Sequence, residues 1–233
     1  MIKYQGISTL EVLQDAKKYN QWIAEQIKTH ITSPALEIGA GTGNLSKYFL
    51  ETKKLYVSDI DKGLVQHLKK KFADKKNVSV TVLDIVKKPK KELQSLFSTV
   101  FAVNVLEHIE DDLLALRHIH LLLKKKGKLI LLVPAKRRAY TKLDKELGHF
   151  RRYEKKELVT KVESSGYKIE MIYYFNFVGL ISWYIRDKVK RNSINLKPYQ
   201  IRIFDNIVPF LKIIESRFKI PVGISLIVVA RKV

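Results

Sequence analysis

Three glycines that follow a short apolar run are the first feature of this chain that could do chemistry. Gly39, Gly41 and Gly43 stand at alternate positions directly after the run Ala35-Leu36-Glu37-Ile38. An apolar run, a glycine-rich turn and an amphipathic stretch at 45–50 predict a strand, a turn and a helix. Because glycine lets the backbone approach a ligand closely, this order of elements predicts a binding site for a nucleotide-like molecule.

A carboxylate at the end of the next apolar run could hold the ribose of such a ligand. Asp59 stands 20 positions after Gly39 and follows the apolar run Leu55-Tyr56-Val57. A carboxylate at that place can accept hydrogen bonds from both ribose hydroxyls. The alternative is that Asp59 only caps the helix that follows, a role that Asp61 could fill equally well.

The spacing of the glycines favours a ligand without phosphate. The pattern here is G-x-G-x-G followed by Asn44, whereas dinucleotide-binding folds use G-x-G-x-x-G. Glu37, just before the turn, would not help to bind a pyrophosphate but suits a ligand that carries an ammonium group. In these residues the chain resembles class I methyltransferases that use S-adenosylmethionine, a cofactor with a ribose, an adenine and an amino acid tail.

Two further segments extend this resemblance over roughly residues 19–135. The segment Phe101–Asp112, with the runs 122–124 and 126–135, is similar to small-molecule methyltransferases of the quinone-biosynthesis type. Asp144 and the run Gly148-His149-Phe150-Arg151-Arg152-Tyr153 resemble a subgroup of these enzymes with a D…GHFRRY loop. The resemblance implies a set of cofactor-binding residues, namely Glu37, Gly39, Ala40, Gly41, Asp59, Ile60, Asp84, Ile85 and Asn104.

The resemblance also implies individual roles, some of which have a structural alternative. Asp84 would hold the adenine amino group with the backbone of Ile85 nearby, or it is only a turn residue. Asn104 would support the methionine part of the cofactor. Glu37 would contact the ammonium group directly or through water, or it is a polar residue at a strand end. Because the carboxyl ends of parallel strands meet at one edge, these residues should converge on one crevice.

The acceptor side of the site is expected to begin with Glu107 and His108. These two residues would frame a small site, although His108 could instead be only the start of a helix. If the acceptor is a hydroxyl, His149 is the preferred general base and His108 the second choice. Nucleic-acid enzymes that methylate amino groups usually place an Asn/Asp-Pro-Pro-Tyr turn after strand four, and this chain has none.

Two arginines and a tyrosine complete the candidate substrate site. Arg151, Arg152 and Tyr153 could bind an anionic group of the acceptor. Alternatively, Asp144 pairs with Arg151 or Arg152 to brace the loop, and His149 packs against the fold. No cluster of residues has the spacing of metal ligands, so the sequence predicts no metal site.

The order of elements predicts one α/β domain over residues 1–233, with a doubly wound parallel sheet. The resemblance implies a seven-stranded Rossmann-like sheet whose last strand is antiparallel, with a helical insertion before that strand. We expect a helical cap at 1–34, a cofactor-binding core at 35–135 and a substrate-side region at 136–233. Predicted strands lie at 35–38, 55–57, 78–83, 99–103, 128–133, 167–174 and 225–230. Predicted helices lie at 10–31, 64–72, 111–125 (with Gly127 as its C-cap), 155–165, 177–190 and 199–218.

Composition favours a globular protein. The chain has 233 residues, of which 46% are hydrophobic and 29% charged, and these values suit a folded domain. It has no cysteine, which excludes disulfides and cysteine-ligated metals. The start of the sequence lacks the order of a signal peptide, and the longest apolar run, at 177–185, is half of a membrane span. We therefore expect a cytoplasmic protein.

The net charge of +21 is extreme for this length and attracts anionic partners. It favours an anionic substrate or a membrane surface, or it reflects only a lysine-rich solvated surface. Aromatic residues between Tyr173 and Tyr184 predict an apolar lid or part of the core. We predict methyl transfer from S-adenosylmethionine to a small-molecule or lipid- or glycan-linked acceptor, with O-methylation favoured. The alternatives are an RNA methyltransferase and a non-catalytic cofactor-binding protein, and the oligomeric state is left open.

Overall fold

The computed structural model describes residues 16–180, 198–217 and 220–233. Within these ranges seven strands form one sheet in the order β3-β2-β1-β4-β5-β7-β6. The strands are β1 (Ala35–Ile38), β2 (Leu55–Asp59), β3 (Val78–Val82), β4 (Phe97–Val103), β5 (Leu123–Pro134), β6 (Tyr167–Phe175) and β7 (Ser225–Lys232). The first five are parallel, whereas β7 is antiparallel to both β5 and β6. The predicted Rossmann-like sheet with an antiparallel last strand is confirmed.

Helices alternate with the parallel strands and then form the insertion before β7. They are α1 (Lys17–Lys28), α2 (Lys62–Lys71), α3 (Asp112–Leu122), α4 (Lys142–Glu146), α5 (Lys155–Ser164) and α6 (Pro198–Arg217). The predicted helical residues at 10–15 and 181–190 lie outside the described residues. Across the described ranges, no helix combines the length and the apolar character that crossing a membrane requires.

Apolar side chains fill both faces of the sheet. On one face Leu116 of α3 and Val162 of α5 belong to the buried layer, and on the other face Trp22 of α1 and Val208 of α6 do. Residues 129–133 of β5 alternate between the two layers and are all buried. This explains why the sequence of β5 is an uninterrupted apolar run.

The prediction that Gly127 ends the third helix is wrong. α3 ends at Leu122 and β5 begins at the next residue, so Gly127 lies inside the strand. The Leu122 carbonyl accepts a hydrogen bond from the N–H of Leu96 at 3.0 Å, and Leu123 already has an extended backbone. A Cβ at position 127 would lie 2.9 Å from a backbone carbonyl oxygen, so close packing within the strand accounts for the glycine.

The predicted helix after the glycine-rich turn is also wrong. Ser46–Phe49 form a single turn of 3-10 helix instead. The side-chain amide of Asn77 donates to the carbonyls of Leu50 at 2.7 Å and of Thr52 at 2.8 Å. These bonds direct the chain into β2 before a longer helix can form.

The first helix is tied to the inserted helix by a carboxylate. Asp205 of α6 accepts hydrogen bonds from the backbone N–H groups of Lys18 at 3.2 Å and Tyr19 at 2.9 Å. α1 has no side-chain cap of its own at Ala16, so Asp205 satisfies N–H groups that a local cap would otherwise bind. These hydrogen bonds fix α6 of the insertion against the start of α1.

Candidate active site

The glycine-rich turn leaves β1 in a backbone conformation that favours glycine. Gly39, Gly41 and Gly43 have φ angles of +70°, +57° and +74°. At Gly39 a side chain is excluded as well, since a Cβ there would lie 2.4 Å from Cγ2 of Val105. The chain therefore presents bare backbone at the carboxyl end of β1, as close approach to a cofactor requires.

Asp59 connects this turn to the end of β2. Its buried carboxylate accepts hydrogen bonds from the N–H of Gly41 at 2.8 Å and of Asp61 at 3.0 Å. The cap of α2 is Asp61, whose Oδ1 accepts from the N–H groups of Gly63 and Leu64, so Asp59 is not the cap. A carboxylate offers about four acceptor positions. Asp59 therefore retains acceptor capacity for the ribose hydroxyls.

Glu37 is a buried carboxyl group below the turn. It is only 3% exposed, and its Oε2 has no hydrogen-bond partner within the described part of the chain. Burial raises the pKa of Glu37 to about 7, and the neighbouring carboxylate of Asp59 adds to this. A buried oxygen that accepts hydrogen bonds usually has a hydrogen-bond donor beside it. The ammonium group of the predicted cofactor would supply that donor.

Lys71 also fixes the turn, and sequence reasoning missed it. Its Nζ, at the last residue of α2, donates to the carbonyl oxygens of Thr42 at 2.7 Å and Gly43 at 3.3 Å. Lys71 follows Leu64 and Leu68 by seven and three positions, which places it near the turn, on the side of the helix that faces the sheet. That spacing was the only signal in the sequence.

Asp84 and Ile85 both accept hydrogen bonds from other residues of the protein. Asp84 Oδ1 accepts from the N–H of Val86 at 3.1 Å, so the turn role considered for Asp84 is present. The Ile85 carbonyl accepts from Nδ1 of His118 at 2.8 Å. The Asp84 side chain keeps 25% of its surface exposed, which is compatible with the predicted adenine contact.

The remaining predicted cofactor residues lie at the same edge of the sheet. Asn104 follows β4 with a φ of +52°, and its N–H donates to the Leu132 carbonyl at 2.8 Å. The N–H of Ala40 donates to the Ser58 carbonyl at 2.9 Å, which closes the turn over β2. Ile60 is 61% exposed beside Asp59. The carboxyl ends of β1, β2, β3 and β4 thus supply all nine predicted cofactor residues.

Three side chains meet on the acceptor side, after β4. One nitrogen or oxygen atom from each of Glu107, His108 and His149 lies within 4.8 Å of the other two. The two imidazole rings pack edge to face with centroids 4.6 Å apart. The N–H of Phe150 donates to the Glu107 carbonyl at 2.8 Å, and this bond brings the two chain segments together. We call Glu107, His108 and His149 the acceptor-side cluster.

Burial shifts the pKa values of two members of the cluster, Glu107 and His108. Glu107 is fully buried, and neither of its carboxylate oxygens has a hydrogen-bond partner in another described residue. Burial raises the pKa of Glu107 to about 8. Burial also lowers the pKa of His108 to about 4, with His149 as a second cause. At neutral pH Glu107 and His108 are therefore predominantly uncharged.

Asp144 orients the His149 ring. Its Oδ1 accepts from Nδ1 of His149 at 2.9 Å and from Nε of Arg152 at 2.8 Å, while Oδ2 accepts from the N–H of Thr141 at 2.8 Å. Burial would raise the pKa of Asp144, but the hydrogen bonds from His149 and Arg152 hold it below its usual value. In the neutral tautomer that donates Nδ1–H to Asp144, the acceptor nitrogen of His149 is Nε2.

Three of the predicted substrate-binding residues, Arg151, Arg152 and Tyr153, bond to other parts of the protein. Arg152 is buried in its pair with Asp144, as the structural alternative foresaw. Arg151 binds the carbonyl of Glu110 at 2.7 Å and the carboxylate of Asp112 at 2.9 Å. Tyr153 is fully buried, and its hydroxyl donates to Asp112 at 3.0 Å. These contacts support the structural alternative for Arg152 and Tyr153, and acceptor binding by the three residues stays a prediction.

Comparison with known proteins supports the methyltransferase fold. Residues 36–129 match a family model described as a methyltransferase domain, and that range includes the turn, Asp59, Asp84 and Glu107. An S-adenosylmethionine-dependent methyltransferase from Thermotoga maritima, described as a possible histamine N-methyltransferase, superposes with a TM-score of 0.65 at 15% identity. The alignment covers 97% of this chain and 95% of that one.

Two further solved structures share the fold. A protein from Galdieria sulphuraria proposed to be a sarcosine dimethylglycine methyltransferase has a TM-score of 0.61 at 11% identity, over 92% of this chain and 84% of its own. The CMeT domain of the citrinin polyketide synthase has a TM-score of 0.57 at 15% identity over 84% of this chain. The chain spans only 45% of that last structure's length.

Proposed function

Because this chain is a class I S-adenosylmethionine-dependent methyltransferase, we propose that it methylates a hydroxyl oxygen of an amphipathic or lipid-linked small molecule. The donor is held by the turn and by the carboxylates at the ends of β1 and β2. The acceptor enters beside Glu107, His108 and His149. The observation that carries the proposal is the Asp144–His149 hydrogen bond, at 2.9 Å, next to the buried Glu107.

The chain's own residues first align the two reactants. When bound, S-adenosylmethionine supplies a methyl group on a sulfonium, which is already activated for in-line displacement. Asp59 would bind the ribose hydroxyls and Glu37 the ammonium group, so that these two residues would hold the donor beside the cluster. Such positioning can contribute about 7–11 kcal/mol to lowering a barrier, which makes it the main catalytic effect of the protein.

His149 is the proposed general base, with His108 beside it as the second candidate. Asp144 holds the Nδ1 proton, and Nε2 accepts the proton of the acceptor hydroxyl. A positioned base contributes about 10²–10⁴ in rate, or roughly 3–5 kcal/mol. This is less than the contribution of positioning, so acceptors that are already acidic would react without the base.

The proposed acceptor class rests on the insertion. α6 lies between β6 and β7, and Ser225 at the start of β7 pairs with Pro134 at the carboxyl end of β5. The insertion therefore leaves the sheet at the same edge as the active site. One side of α6 exposes large apolar residues: Tyr199, Ile203, Ile207, Phe210 and Ile214. An exposed apolar stripe on a protein of net charge +21 suits an amphipathic acceptor with an anionic group.

The test is methyl transfer from labelled donor into fractionated extract, with Asp59→Ala as the inactive control. We expect label in the lipid and small-molecule fractions, in a base-stable ether. Label in RNA would overturn the proposal in favour of the nucleic-acid alternative, which the net charge also suits. Donor binding without label in any fraction would support the non-catalytic alternative. His149→Ala with full turnover would remove the proposed base.

A further inference from the structure

One side of α6 presents a row of large apolar side chains to the surroundings of the protein. Each member of the row is at least 40% exposed, and we call the row the apolar stripe of α6: Tyr199, Ile203, Ile207, Phe210 and Ile214. Their spacing of three or four positions places them on one side of the helix. Single exposed apolar residues are ordinary on a protein surface, whereas a contiguous set marks a site of interaction.

The opposite side of α6 is fixed to the rest of the domain. Val208 and Leu211 are buried in the apolar layer that α6 shares with α1. Asp205 accepts hydrogen bonds from two backbone N–H groups at the start of α1. Glu215 accepts one from the N–H of Asn176, directly after β6, at 3.0 Å. These contacts hold the helix so that the apolar stripe faces outward.

The charged side chains beside the apolar stripe are positive. Both acidic residues of α6 form the inward contacts described above. Arg217 stands seven positions after Phe210 and Arg202 three positions after Tyr199, so both exposed arginines lie along the stripe. The third cation of the helix, Lys212, pairs with a glutamate of α1. The outward surface of α6 therefore combines apolar side chains with two cations.

This combination fits an anionic bilayer better than it fits a second copy of the chain. Each copy carries a net charge of +21, and a contact between two α6 helices would bring their arginines together. The surface of a bilayer with acidic phospholipids has the opposite charge and attracts Lys and Arg residues near it. Helices with apolar residues on one side and cations beside them bind in the plane of that interface.

We propose that α6 docks this protein on the surface of an anionic phospholipid bilayer. The apolar stripe would enter the boundary between headgroups and acyl chains, and Arg202 and Arg217 would contact lipid phosphates. Because the insertion leaves the sheet at the edge that carries the active site, docking would bring a lipid-linked acceptor close to the acceptor-side cluster. That last consequence rests on the proposed function. Docking itself does not, and it is tested without donor or acceptor.

The first test uses the fact that the chain has no cysteine. Phe210→Cys creates a single attachment point for an environment-sensitive fluorophore, and Met171→Cys, at an exposed position on β6, is the matched control. The vesicles contain equal parts of phosphatidylglycerol and phosphatidylcholine. We expect a blue shift of the Phe210→Cys label and its quenching by brominated acyl chains, with neither effect for Met171→Cys. No shift for Phe210→Cys, or equal shifts for both, would overturn the inference.

The second test removes charge from the docking surface. Arg202→Gln combined with Arg217→Gln should weaken binding to the same vesicles by about 25-fold, since each cation near an anionic surface contributes about fivefold. Lys69→Gln combined with Lys70→Gln removes the same charge from α2 and should change affinity by less than about twofold, because distant charges are screened. Equal losses in the two pairs would show attraction by net charge alone and would contradict docking through α6.

Sedimentation velocity of the protein without lipid distinguishes a bilayer from a second copy. We expect the unchanged chain and Phe210→Ser to sediment alike. A dimer that Phe210→Ser dissociates, together with no binding to vesicles, would assign the apolar stripe to self-association and overturn the inference. Vesicle binding without methyl transfer to any fraction would instead overturn the proposed function and leave the docking surface in place.

Discussion

The Tyr153 hydroxyl donates a 3.0 Å hydrogen bond to the carboxylate of Asp112 in the interior of the protein. Asp112 also binds Lys161 at 2.7 Å and Arg151 at 2.9 Å. Burial alone would raise the pKa of Asp112, but these three partners bring it below its usual value. The arrangement joins α3, α5 and the loop that carries His149. We therefore predict that Tyr153 has a structural role.

Removing this hydroxyl should therefore cost stability and not turnover. We expect Tyr153→Phe to lower the free energy of unfolding by about 2 kcal/mol, since a hydrogen bond to a charged group contributes about 1.5–3 kcal/mol. The control is Tyr167→Phe, which removes a hydrogen bond to the Leu116 carbonyl. We expect it to lower the free energy of unfolding by about 1 kcal/mol. Urea denaturation measures both. A large loss of kcat/KM in Tyr153→Phe at unchanged stability would show that Tyr153 contacts the substrate after all.

The ribose assignment predicts opposite behaviour for two neighbouring aspartates. Asp59→Ala should weaken S-adenosylmethionine binding at least tenfold, because it removes the ribose acceptor and releases the N–H of Gly41. Asp61→Ala removes the cap of α2 and should cost about 0.5–2 kcal/mol of stability with little change in cofactor affinity. Calorimetry and thermal unfolding separate the two effects. Unchanged affinity in Asp59→Ala would refute the assignment.

Cofactor binding should depend on pH through Glu37. Its pKa of about 7 in the free protein means that ionisation rises from about a tenth at pH 6 to about a half at pH 7. Since only the ionised form attracts the ammonium group, affinity should rise roughly fivefold over this range. Titrations stay below pH 7.5, because an α-ammonium group itself titrates near about 8. Glu37→Gln should bind more weakly and show a flat profile.

The same group has the opposite effect on the stability of the free protein. A carboxyl whose pKa is raised on folding stabilises the fold most at low pH, below its unfolded value of 4.5. This contribution is lost as the pH rises through about 7. Chemical denaturation of the free protein between pH 5 and 8 should show the decline, and Glu37→Gln should remove it. A decline of equal size in the variant would mean that other groups cause it.

The apolar stripe of α6 predicts binding to anionic lipid. Ile203→Ser combined with Phe210→Ser should reduce co-sedimentation with anionic vesicles and leave the unfolding free energy within about 0.5 kcal/mol, since both side chains are exposed. Met171→Ser on β6 changes an exposed apolar residue elsewhere and should have no effect. Co-sedimentation with neutral vesicles measures how much of the binding depends on the negative charge of the lipid. Equal sedimentation of the double variant would exclude the stripe as the contact surface.

The strands could be predicted from the sequence because each is a compact apolar run between turn residues. β1 was predicted with its observed bounds, Ala35–Ile38. Helix ends were less predictable, because contacts from distant residues set them. The carbonyl of Leu122 is bound by Leu96, and the carbonyl of Leu50 by Asn77, and no local pattern encodes either bond.

The candidate cofactor residues could be placed at one edge of the sheet because each lies at or just after the end of a strand. Glu107, His108 and His149 were each assigned to the acceptor side, but their direct contact was not predicted, since His149 stands 42 positions after Glu107 and the Phe150 N–H bond joins the two segments. Likewise, nothing in the run Arg151-Arg152-Tyr153 reveals which side chains point inward, because an irregular loop has no period. Burial of Arg152 and Tyr153 became apparent only in three dimensions.

The single 3-10 turn after the glycines has a consequence for coenzyme choice. A longer α-helix would aim an aligned set of peptide dipoles at the ligand, and dinucleotide enzymes rely on that field to retain their charged bridge. Ser46–Phe49 are too short to generate it. The backbone after the glycines therefore offers a pyrophosphate little electrostatic attraction, which favours a coenzyme without phosphate.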